Sequence, residues 1–471
     1  MVIGNVNNVL LISLDALRYD YFKSVTERSE PVVDRIVSNS IVFKQHITTG
    51  PGTSTAFPGI HASALPLDYG YRGISQQHRT ISEQLQAAGI TTGGITAQTS
   101  CSSAFGYDSG FNTFIDWTQR GKQSALPSVN FLREKFAQLV RGSRAERPIK
   151  KVYSSVRSDE PPYIQANEIS DQASDFLPKL SSTDPFFGWI HFMEPHAPYY
   201  PPRELINQHH SGNFTTSDVN ELVRGLSQPN NSVTVNDLSS SEKEAIKDYY
   251  GAQLEFGVKE LVELLEVLSE EDILKDTAII ITSDHGEELF DHGGFGHKPK
   301  MHEELIHVPL LLYHPDRGSD WVSTLDSVTS HLDLAPTVTD LFGTSAHHDW
   351  KGKSLLRSLS SHGGFDRNYA ISELCHQSGL GGEVDTSNHV ISIRGENWKV
   401  IIDKQNSTHR LFRVEDNLCE IEVRIGKNVN RYRSLVNIAQ DRSSSIDGEM
   451  IQTREVDEGV KEQLRKLGYD E

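Results

Sequence analysis

Runs of mostly apolar residues, rather than an alternation of apolar and polar positions, mark the strongest predicted strands of this chain. The stretches 8–14 and 277–281 are rich in branched apolar residues, which is typical of strands buried on both faces. A further strand is predicted at 90–96, behind a helix at 80–88, and the short strand 41–43 precedes a loop. Such an alternation of strands and helices predicts an α/β fold with a large, mainly parallel sheet sandwiched by helices.

Changes of composition along the chain predict its organisation. Residues 120–165 are basic and polar, which indicates an insertion or a mobile helical lid, either as a solvated surface or as a cationic rim that steers an anionic substrate. Residues 203–240 are rich in Asn, Ser and His and predict a long loop, followed by a helix over 241–268. The pattern then changes to short strands. We therefore predict a large catalytic α/β domain over 1–364 and a small antiparallel C-terminal subdomain over 365–471.

The composition is that of a folded globular protein with an acidic surface. The chain has 471 residues, of which 37% are hydrophobic and 23% charged, and this suits one large domain with a smaller addition. No apolar run reaches the length of a membrane span, and the opening residues do not run from charged to apolar, so we expect neither a membrane-spanning helix nor a leader. The formal net charge of −19 disfavours nucleic acid as a partner. Three widely spaced cysteines fit a reducing interior, so we expect a cytoplasmic location.

Carboxylate and imidazole side chains directly follow the two apolar strands. Asp15 comes after the first strand, and Asp284 and His285 follow the strand that begins at 277. Because open α/β sheets place their chemistry at the carboxyl ends of strands, we expect these side chains at one edge of the sheet. Such a set suits a divalent cation. The simpler alternatives are a helix N-cap for Asp15, before a helix predicted at 15–20, and a solvated turn for the other two.

A loop rich in Gly, Pro and hydroxyl groups, residues 49–63, leads into a predicted helix. A hydroxyl at a helix start is placed to meet an anion, because free backbone N–H groups and the helix dipole point there. A hydroxyl bound to a divalent cation also loses its proton more easily and becomes a nucleophile. An ordinary capping loop is the alternative, since Ser and Thr dominate such loops.

Together these segments resemble the sulfatase family of the alkaline-phosphatase superfamily. In this register Thr53 falls on the family's Cys or Ser nucleophile, Phe57 stands where the family has Arg, and Ala16 replaces the second of two adjacent Asp residues. Further segments follow in the family's order: the Pro-His-x-Pro-Tyr turn at 195–199, the Glu-Glu-x-x-x-Val-Pro-Leu segment at 303–310, the Asp-x-x-Pro-Thr helix start at 333–337, the Gly-x-Ser-Leu segment at 352–355 and the strand at 393–400. The resemblance implies an alkaline-phosphatase-like fold.

The resemblance also implies a site for a divalent metal ion. Its protein ligands would be Asp15, Thr53, Asp284 and His285. Calcium, manganese and zinc all remain open. Ala16 in place of an acidic ligand favours one ion over two, although His292 or His297 would be available for a second. Glu287 and Glu288 are expected to orient His285 as neighbours behind the metal ligands.

Further residues are implied to bind the anion and to transfer protons. Thr53 would attack the sulfur or phosphorus atom, while His297 and Lys298 would stabilise the charge on the equatorial oxygens. His196 would contact the anion or protonate the leaving oxygen. His191 is a second candidate, with a buried strand histidine as the alternative.

The nucleophile segment decides which reaction is expected. Sulfatases of the best-known type oxidise their Cys or Ser to formylglycine, and Thr53 cannot give this aldehyde because its Cβ carries a methyl group. The resemblance implies a metal-dependent hydrolase of the sulfatase family that cleaves sulfate esters, here through a Thr nucleophile.

Two alternatives stay open. One is a phosphodiesterase or phosphoglycerol-transferase-like enzyme acting on phosphate or phosphonate esters. The other is an inactive homologue that binds an anion. The expected partner is an anionic small-molecule, glycan or lipid ester, and the sequence fixes neither its organic part nor the oligomeric state.

Overall fold

The computed structural model of the chain describes residues 6–22, 31–69, 73–75, 77–116, 161–181, 185–227, 233–317, 321–359, 365–376, 383–415, 418–424, 432–446, 448, 450–452 and 456–467. Most of the predicted insertion at 120–165 therefore lies outside the described residues.

The strands are numbered along the chain as β1 (Asn8–Leu14), β2 (Ser40–Ile47), β3 (Thr91–Thr96), β4 (Thr113–Ile115), β5 (Phe186–Phe192), β6 (Thr277–Ser283), β7 (Glu288–Leu289), β8 (Phe295–Gly296), β9 (His307–Tyr313), β10 (Thr324–Ser330), β11 (Tyr369–Cys375), β12 (Glu383–Asp385), β13 (His389–Gly395), β14 (Trp398–Asp403), β15 (Thr408–Val414), β16 (Glu420–Val423) and β17 (Met450–Gln452). The α-helices are α1 (Pro31–Ser38), α2 (Thr53–Ala62), α3 (Pro66–Tyr69), α4 (Ile81–Ala87), α5 (Ala166–Ser181), α6 (Arg203–His209), α7 (Thr216–Ser227), α8 (Ser240–Glu270), α9 (Glu303–Ile306), α10 (Leu334–Leu341), α11 (Arg433–Ile446) and α12 (Glu458–Lys466).

Eight of the described strands form the central sheet, in the order β10-β2-β9-β6-β1-β5-β3-β4. β1 pairs in parallel with both β5 and β6, whereas β9 is antiparallel to its two neighbours. This confirms the predicted large, mainly parallel sheet. Leu14 lies opposite Phe192 on one side and Ser283 on the other. The carboxyl ends of β5, β1 and β6 therefore meet at one edge, where the next residues of each strand come together.

Helices cover both faces of this sheet. Alternate residues of β1 divide between the faces: Leu10 and Ile12 pack with α5 and α8, while Val9 and Leu11 pack with α2, α4 and α10. Every residue of β1 and of β6 is buried. The mostly apolar runs of the sequence are thus explained by strands that meet an apolar layer on each side, as parallel sheets require.

The C-terminal part of the chain carries its own sheet, which confirms the predicted small antiparallel unit. Its strands lie in the order β11-β13-β14-β15-β16, and each pairs antiparallel with its neighbours. Leu435, Ala439 and Ile446 of α11 pack against it. The last helix, α12, behaves differently, because its Val460 and Leu464 belong to the apolar cluster on the central sheet.

The prediction of a long loop over 203–240 is wrong. The segment contains α6 and α7, and the latter buries Val219, Val223 and Leu226 in a small apolar cluster with the first turns of α8. The three buried residues follow a helical period, but the many Asn, Ser and His residues around them concealed it. Among the helices that the structure describes, none combines the length and apolar character needed to cross a membrane.

The helix predicted directly after Asp15 is also absent from the described residues 15–20. Ala16 adopts a left-handed conformation with φ 61°, and only a short 3-10 turn, Tyr19–Tyr21, follows. The Tyr250 hydroxyl donates to the Ala16 carbonyl over 2.9 Å. The chain therefore turns sharply at the sheet edge, and Asp15 does not act as a helix N-cap.

Candidate active site

The edge of the central sheet brings Asp15, Asp284 and His285 together, as the sequence predicted. The Asp15 N–H donates to the Phe192 carbonyl over 2.9 Å, and the Ala16 N–H donates to Asp284 Oδ1 over 3.2 Å. These bonds hold the ends of three neighbouring strands in register. All three side chains are fully buried. The alternative of a solvated turn therefore does not describe this segment.

His285 presents one nitrogen to three oxygen atoms. Its Nδ1 lies 2.7 Å from the Gly286 carbonyl, so this nitrogen carries the proton and Nε2 carries a lone pair. Nε2 lies 3.4 Å from Asp15 Oδ1, 3.6 Å from Asp284 Oδ2 and 3.3 Å from Thr53 Oγ1. Burial lowers the pKa of His285 to about 3, and the ring is therefore neutral near pH 7. Four electron-rich atoms thus converge on one point.

This convergence fits a divalent cation. Within the described part of the chain, Asp15 Oδ1 and Asp284 Oδ2 are buried without a hydrogen-bond partner. Burial and the charge of Asp15 raise the pKa of Asp284. Burial opposes ionisation of Asp15 as well, but His196, His191 and His285 outweigh it and lower that pKa. Two adjacent buried carboxylates repel one another unless a cation compensates them, and carboxylate, imidazole and hydroxyl groups are suitable ligands.

Thr53 stands at the start of α2 with its hydroxyl turned towards this cluster. The N-cap residue is Gly52, in an extended conformation, and Thr55 rather than Thr53 donates its hydroxyl to the Gly52 carbonyl. Thr53 is only 1% exposed, and its hydroxyl lies near His285 and close enough to Asp284 to lower the pKa of that carboxyl. The structure therefore places Thr53 beside the carboxylates, which an ordinary capping residue would not require.

Two further histidines line the same site. The ring centre of His297 lies 4.6 Å from that of His285 and 5.1 Å from that of His196. Burial would lower the pKa of His297, but its contact with the Glu287 carboxylate, at 3.5 Å, outweighs this and raises it. Burial lowers the pKa of His196. Of the two imidazoles, His297 is the better proton donor and His196 the better neutral hydrogen-bonding group.

Glu287 and Glu288 do not orient His285, so that prediction is wrong. Glu287 pairs with His297, and Glu288 pairs with Lys300 over 2.7 Å. The neighbouring Lys298, predicted to bind the anion, has an exposed side chain. The ring of His285 is instead oriented by a backbone carbonyl, which a sequence motif does not reveal.

His191 and Gln98 form a layer behind Asp15. His191 Nδ1 lies 2.9 Å from the Ser13 hydroxyl, and its Nε2 lies 3.6 Å from Asp15 Oδ2. Gln98 donates from Nε2 to the same oxygen over 2.7 Å, while its Oε1 accepts from the Ser100 N–H over 3.3 Å. Gln98 is fully buried. The sequence reasoning missed it, although its position just after β3 at the same sheet edge was a usable signal.

Arg18 is a second residue that the sequence reasoning missed. Its guanidinium group bonds to both carboxylate oxygens of Asp291, over 2.6 and 3.1 Å, and to the Glu287 carbonyl over 3.1 Å. Burial disfavours its charge, but Asp20 and Asp291 raise its pKa. Arg18 therefore fastens the loop after Asp15 to the loop after His285.

Phe57 provides an apolar ring beside the site. It is fully buried and its ring packs edge-on against His191 at 5.0 Å and Trp189 at 5.4 Å. The family's Arg would place a cation here, so an anion in this site relies on other groups for its charge.

Comparisons with known proteins identify the family of this chain. A family model described as Sulfatase matches residues 7–344. Arylsulfatase K from Mus musculus is 30% identical over 211 residues, which make up 41% of this chain and 37% of that protein. The chain spans less than half of the length of the curated relatives it matches.

Two solved structures share the fold over almost the whole chain. Phosphonate monoester hydrolase of Agrobacterium radiobacter superposes with a TM-score of 0.66 at 18% identity, covering 93% of this chain and 95% of that one. A protein solved in complex with its substrate D-glucosamine-2-N,6-O-disulfate superposes with a TM-score of 0.63 at 17% identity, covering 98% of both chains. At these identities the two structures support the fold alone.

Proposed function

The chain belongs to the sulfatase family, and we propose that it is a metal-dependent hydrolase that cleaves sulfate esters with Thr53 as its nucleophile. The observation that carries this proposal is the buried position of the Thr53 hydroxyl, 3.3 Å from His285 Nε2 and beside the carboxylates of Asp15 and Asp284. The similarity to arylsulfatase K supports sulfate esters as the first substrate class to test.

In this proposal Asp15, Asp284 and His285 would hold a divalent cation together with Thr53. When bound, a divalent cation lowers the pKa of the Thr53 hydroxyl and neutralises charge on the oxygens of the ester. The Thr53 proton goes to solvent, and Oγ1 then attacks sulfur in line with the leaving oxygen. A bond forms between Oγ1 and sulfur while the bond from sulfur to the leaving oxygen breaks.

The two histidines then serve proton transfer and charge stabilisation. His297, whose pKa is raised beside Glu287, donates a proton to the leaving oxygen. His196, with its lowered pKa, contacts the sulfate oxygens as a neutral group. Water subsequently attacks the sulfur of the Thr53 ester, and the bond from sulfur to Oγ1 breaks. One proton of this water goes to Oγ1 and the other returns to His297, which restores both groups and releases sulfate. Activity is expected to decline as pH rises through the raised pKa of His297.

A second candidate is hydrolysis of phosphate diesters or phosphonate monoesters. Thr53 itself favours it, because a hydrated aldehyde can expel sulfate and a threonine cannot form one. These esters share with sulfate esters a tetrahedral centre that carries a single negative charge near neutral pH, so the same hydroxyl and cation could serve both. The Thr ester must in either case be cleaved by water or by another acceptor.

The deciding experiment compares three aryl esters, a sulfate, a phosphate diester and a phosphonate monoester, with metal-stripped protein refilled with calcium, manganese or zinc. We expect metal-dependent turnover of the esters, with the highest kcat/KM for the sulfate. A higher kcat/KM for the phosphorus esters would select the second candidate. No turnover of any ester with any of the metals, while the protein still binds a metal through Asp284, would favour an anion-binding homologue and overturn both.

Gln98→Leu is expected to weaken metal binding by about 10–100-fold, as loss of a hydrogen bond to a metal ligand does elsewhere. The substitution removes the 2.7 Å hydrogen bond to Asp15 Oδ2 and leaves this oxygen only its longer contact with His191, at 3.6 Å. The measurement is the dissociation constant from competition with a chromophoric chelator, with a thermal melt to verify folding.

The matched control for this variant is Gln84→Leu. Gln84 makes an equivalent bond at the surface, to the Ser345 carbonyl over 2.9 Å, and the same substitution there should leave metal affinity unchanged. Equal affinities for wild type and Gln98→Leu would show that Gln98 does not position Asp15.

A further inference from the structure

A second cluster of metal-type side chains lies where the large domain meets the C-terminal sheet. His292 belongs to the loop after His285, His302 precedes α9, and Glu420 begins β16. One ligand atom from each lies within 4.8 Å of the others. The cluster contains none of the residues to which the proposed hydrolysis assigns a role.

Two imidazole nitrogens of this cluster face a single carboxylate oxygen. His302 Nδ1 hydrogen-bonds to Glu420 Oε1, and His292 Nε2 lies 3.7 Å from the same oxygen. The two rings stack with their centres 3.7 Å apart and an angle of 10° between their planes. The side chains of His302 and Glu420 are 6% and 1% exposed, while that of His292 is 33% exposed. The cluster is therefore enclosed on one side and reachable from solvent on the other.

Outer partners fix the direction of these ligands. His292 Nδ1 lies 2.7 Å from Glu304 Oε1, so this nitrogen donates. In the neutral ring Nε2 then offers its lone pair, 3.7 Å from Glu420 Oε1. The other oxygen of Glu420 pairs with Lys399 and accepts from the Glu303 N–H over 3.3 Å. A carboxylate behind a ligating histidine is a recurrent arrangement at metal sites, and here Glu304 supplies it.

The local charge also favours a cation. Glu303 is paired with both Arg394 and Lys399, so the charge of Lys399 is shared between Glu303 and Glu420. The Glu304 side chain is 2% exposed and pairs with His292. Two carboxylates, Glu304 and Glu420, are therefore compensated only in part while the histidines are neutral.

We propose that His292, His302 and Glu420 form a second divalent-cation site of the zinc type, which fastens the C-terminal sheet to the loop after His285. Two imidazole nitrogens and one carboxylate oxygen are a recognised zinc set, and they leave a fourth position for water. The site stands independently of the proposed hydrolase activity.

The test is zinc stoichiometry of the full chain after removal of metal with a chelator. The probe is zinc alone, titrated against a chromophoric competitor and counted by elemental analysis after dialysis. We expect His292→Asn and Glu420→Gln each to bind one equivalent fewer than the wild type. In an Asp284→Asn background the zinc ion bound by His292, His302 and Glu420 should remain. It should disappear when His292→Asn is added to that background. The two sites are thus separated whether or not the enzyme proves active.

Two further variants sharpen this test. Glu304→Gln should lower the zinc affinity of this cluster by about 10–100-fold, since Glu304 orients His292. His348→Asn, in the exposed group formed by His347, His348 and Asp349, should leave the stoichiometry unchanged. Equal stoichiometry in wild type and His292→Asn would overturn the proposal and leave the cluster as a set of proton-bridged ion pairs. Because His292 is partly exposed, its replacement spares the fold, which a thermal melt verifies.

Discussion

Thr53→Ala is expected to lower kcat/KM for the preferred ester by about 10³-fold or more, because it removes the attacking oxygen. At a saturating metal concentration the loss should lie mainly in kcat, since the methyl group of alanine leaves the anion pocket open. A second readout is covalent: rapid acid quenching of the wild type with substrate, followed by mass spectrometry, should find the ester on the peptide that contains Thr53. No such adduct should form on the variant.

Two further substitutions serve as controls for Thr53→Ala. Thr53→Ser keeps a hydroxyl at the same position and should retain a measurable part of the activity. Ser54→Ala removes the neighbouring hydroxyl of the same helical turn and should act like the wild type. Full activity in Thr53→Ala would exclude Thr53 as the nucleophile and point to direct attack by water.

Asp284→Asn is expected to weaken metal binding by more than about 100-fold, which exceeds the loss for an outer partner because a ligand itself is removed. In metal-free protein the same substitution should have the opposite effect on folding and stabilise it by roughly 1–3 kcal/mol. The pKa of Asp284 is raised in the folded state, so its ionised form destabilises the metal-free fold above the unfolded-state pKa. Protonation at lower pH removes that penalty.

The measurement for Asp284→Asn is a pair of thermal melts, without and with saturating metal, over a series of pH values. Asp272→Asn is the control, because Asp272 is an exposed carboxylate paired with Lys275 and lies outside the site. A variant that is less stable than the wild type in the absence of metal would show that the two carboxylates are not repelling each other.

The residues that directly follow the strands were predictable as site residues, whereas the side chains that support them were not. Asp15 and Asp284 follow strongly apolar strands, so the topology of parallel sheets alone places them at one edge. Gln98 and Arg18 act through contacts with residues distant in sequence, and their residue types are ordinary at surfaces. Only the packed structure shows that both are buried.

The resemblance to a family supplied the register for Thr53, and the structure added the reason for its position. A helix could have begun with the Thr53 side chain as its cap, but Gly52 occupies that position. The error at 203–240 has a different origin. The helix α6 buries no side chain and α7 only a few, so the apolar signal is sparse among polar residues.

The packing of α12 has a consequence for how the protein is made. Val460 and Leu464, near the end of the sequence, complete an apolar layer that also contains Val9 and Leu11 of the first strand. During synthesis this layer stays open to solvent until residue 464 has left the ribosome. The apolar layer on this face of the central sheet is therefore completed only after the C-terminal sheet has been made.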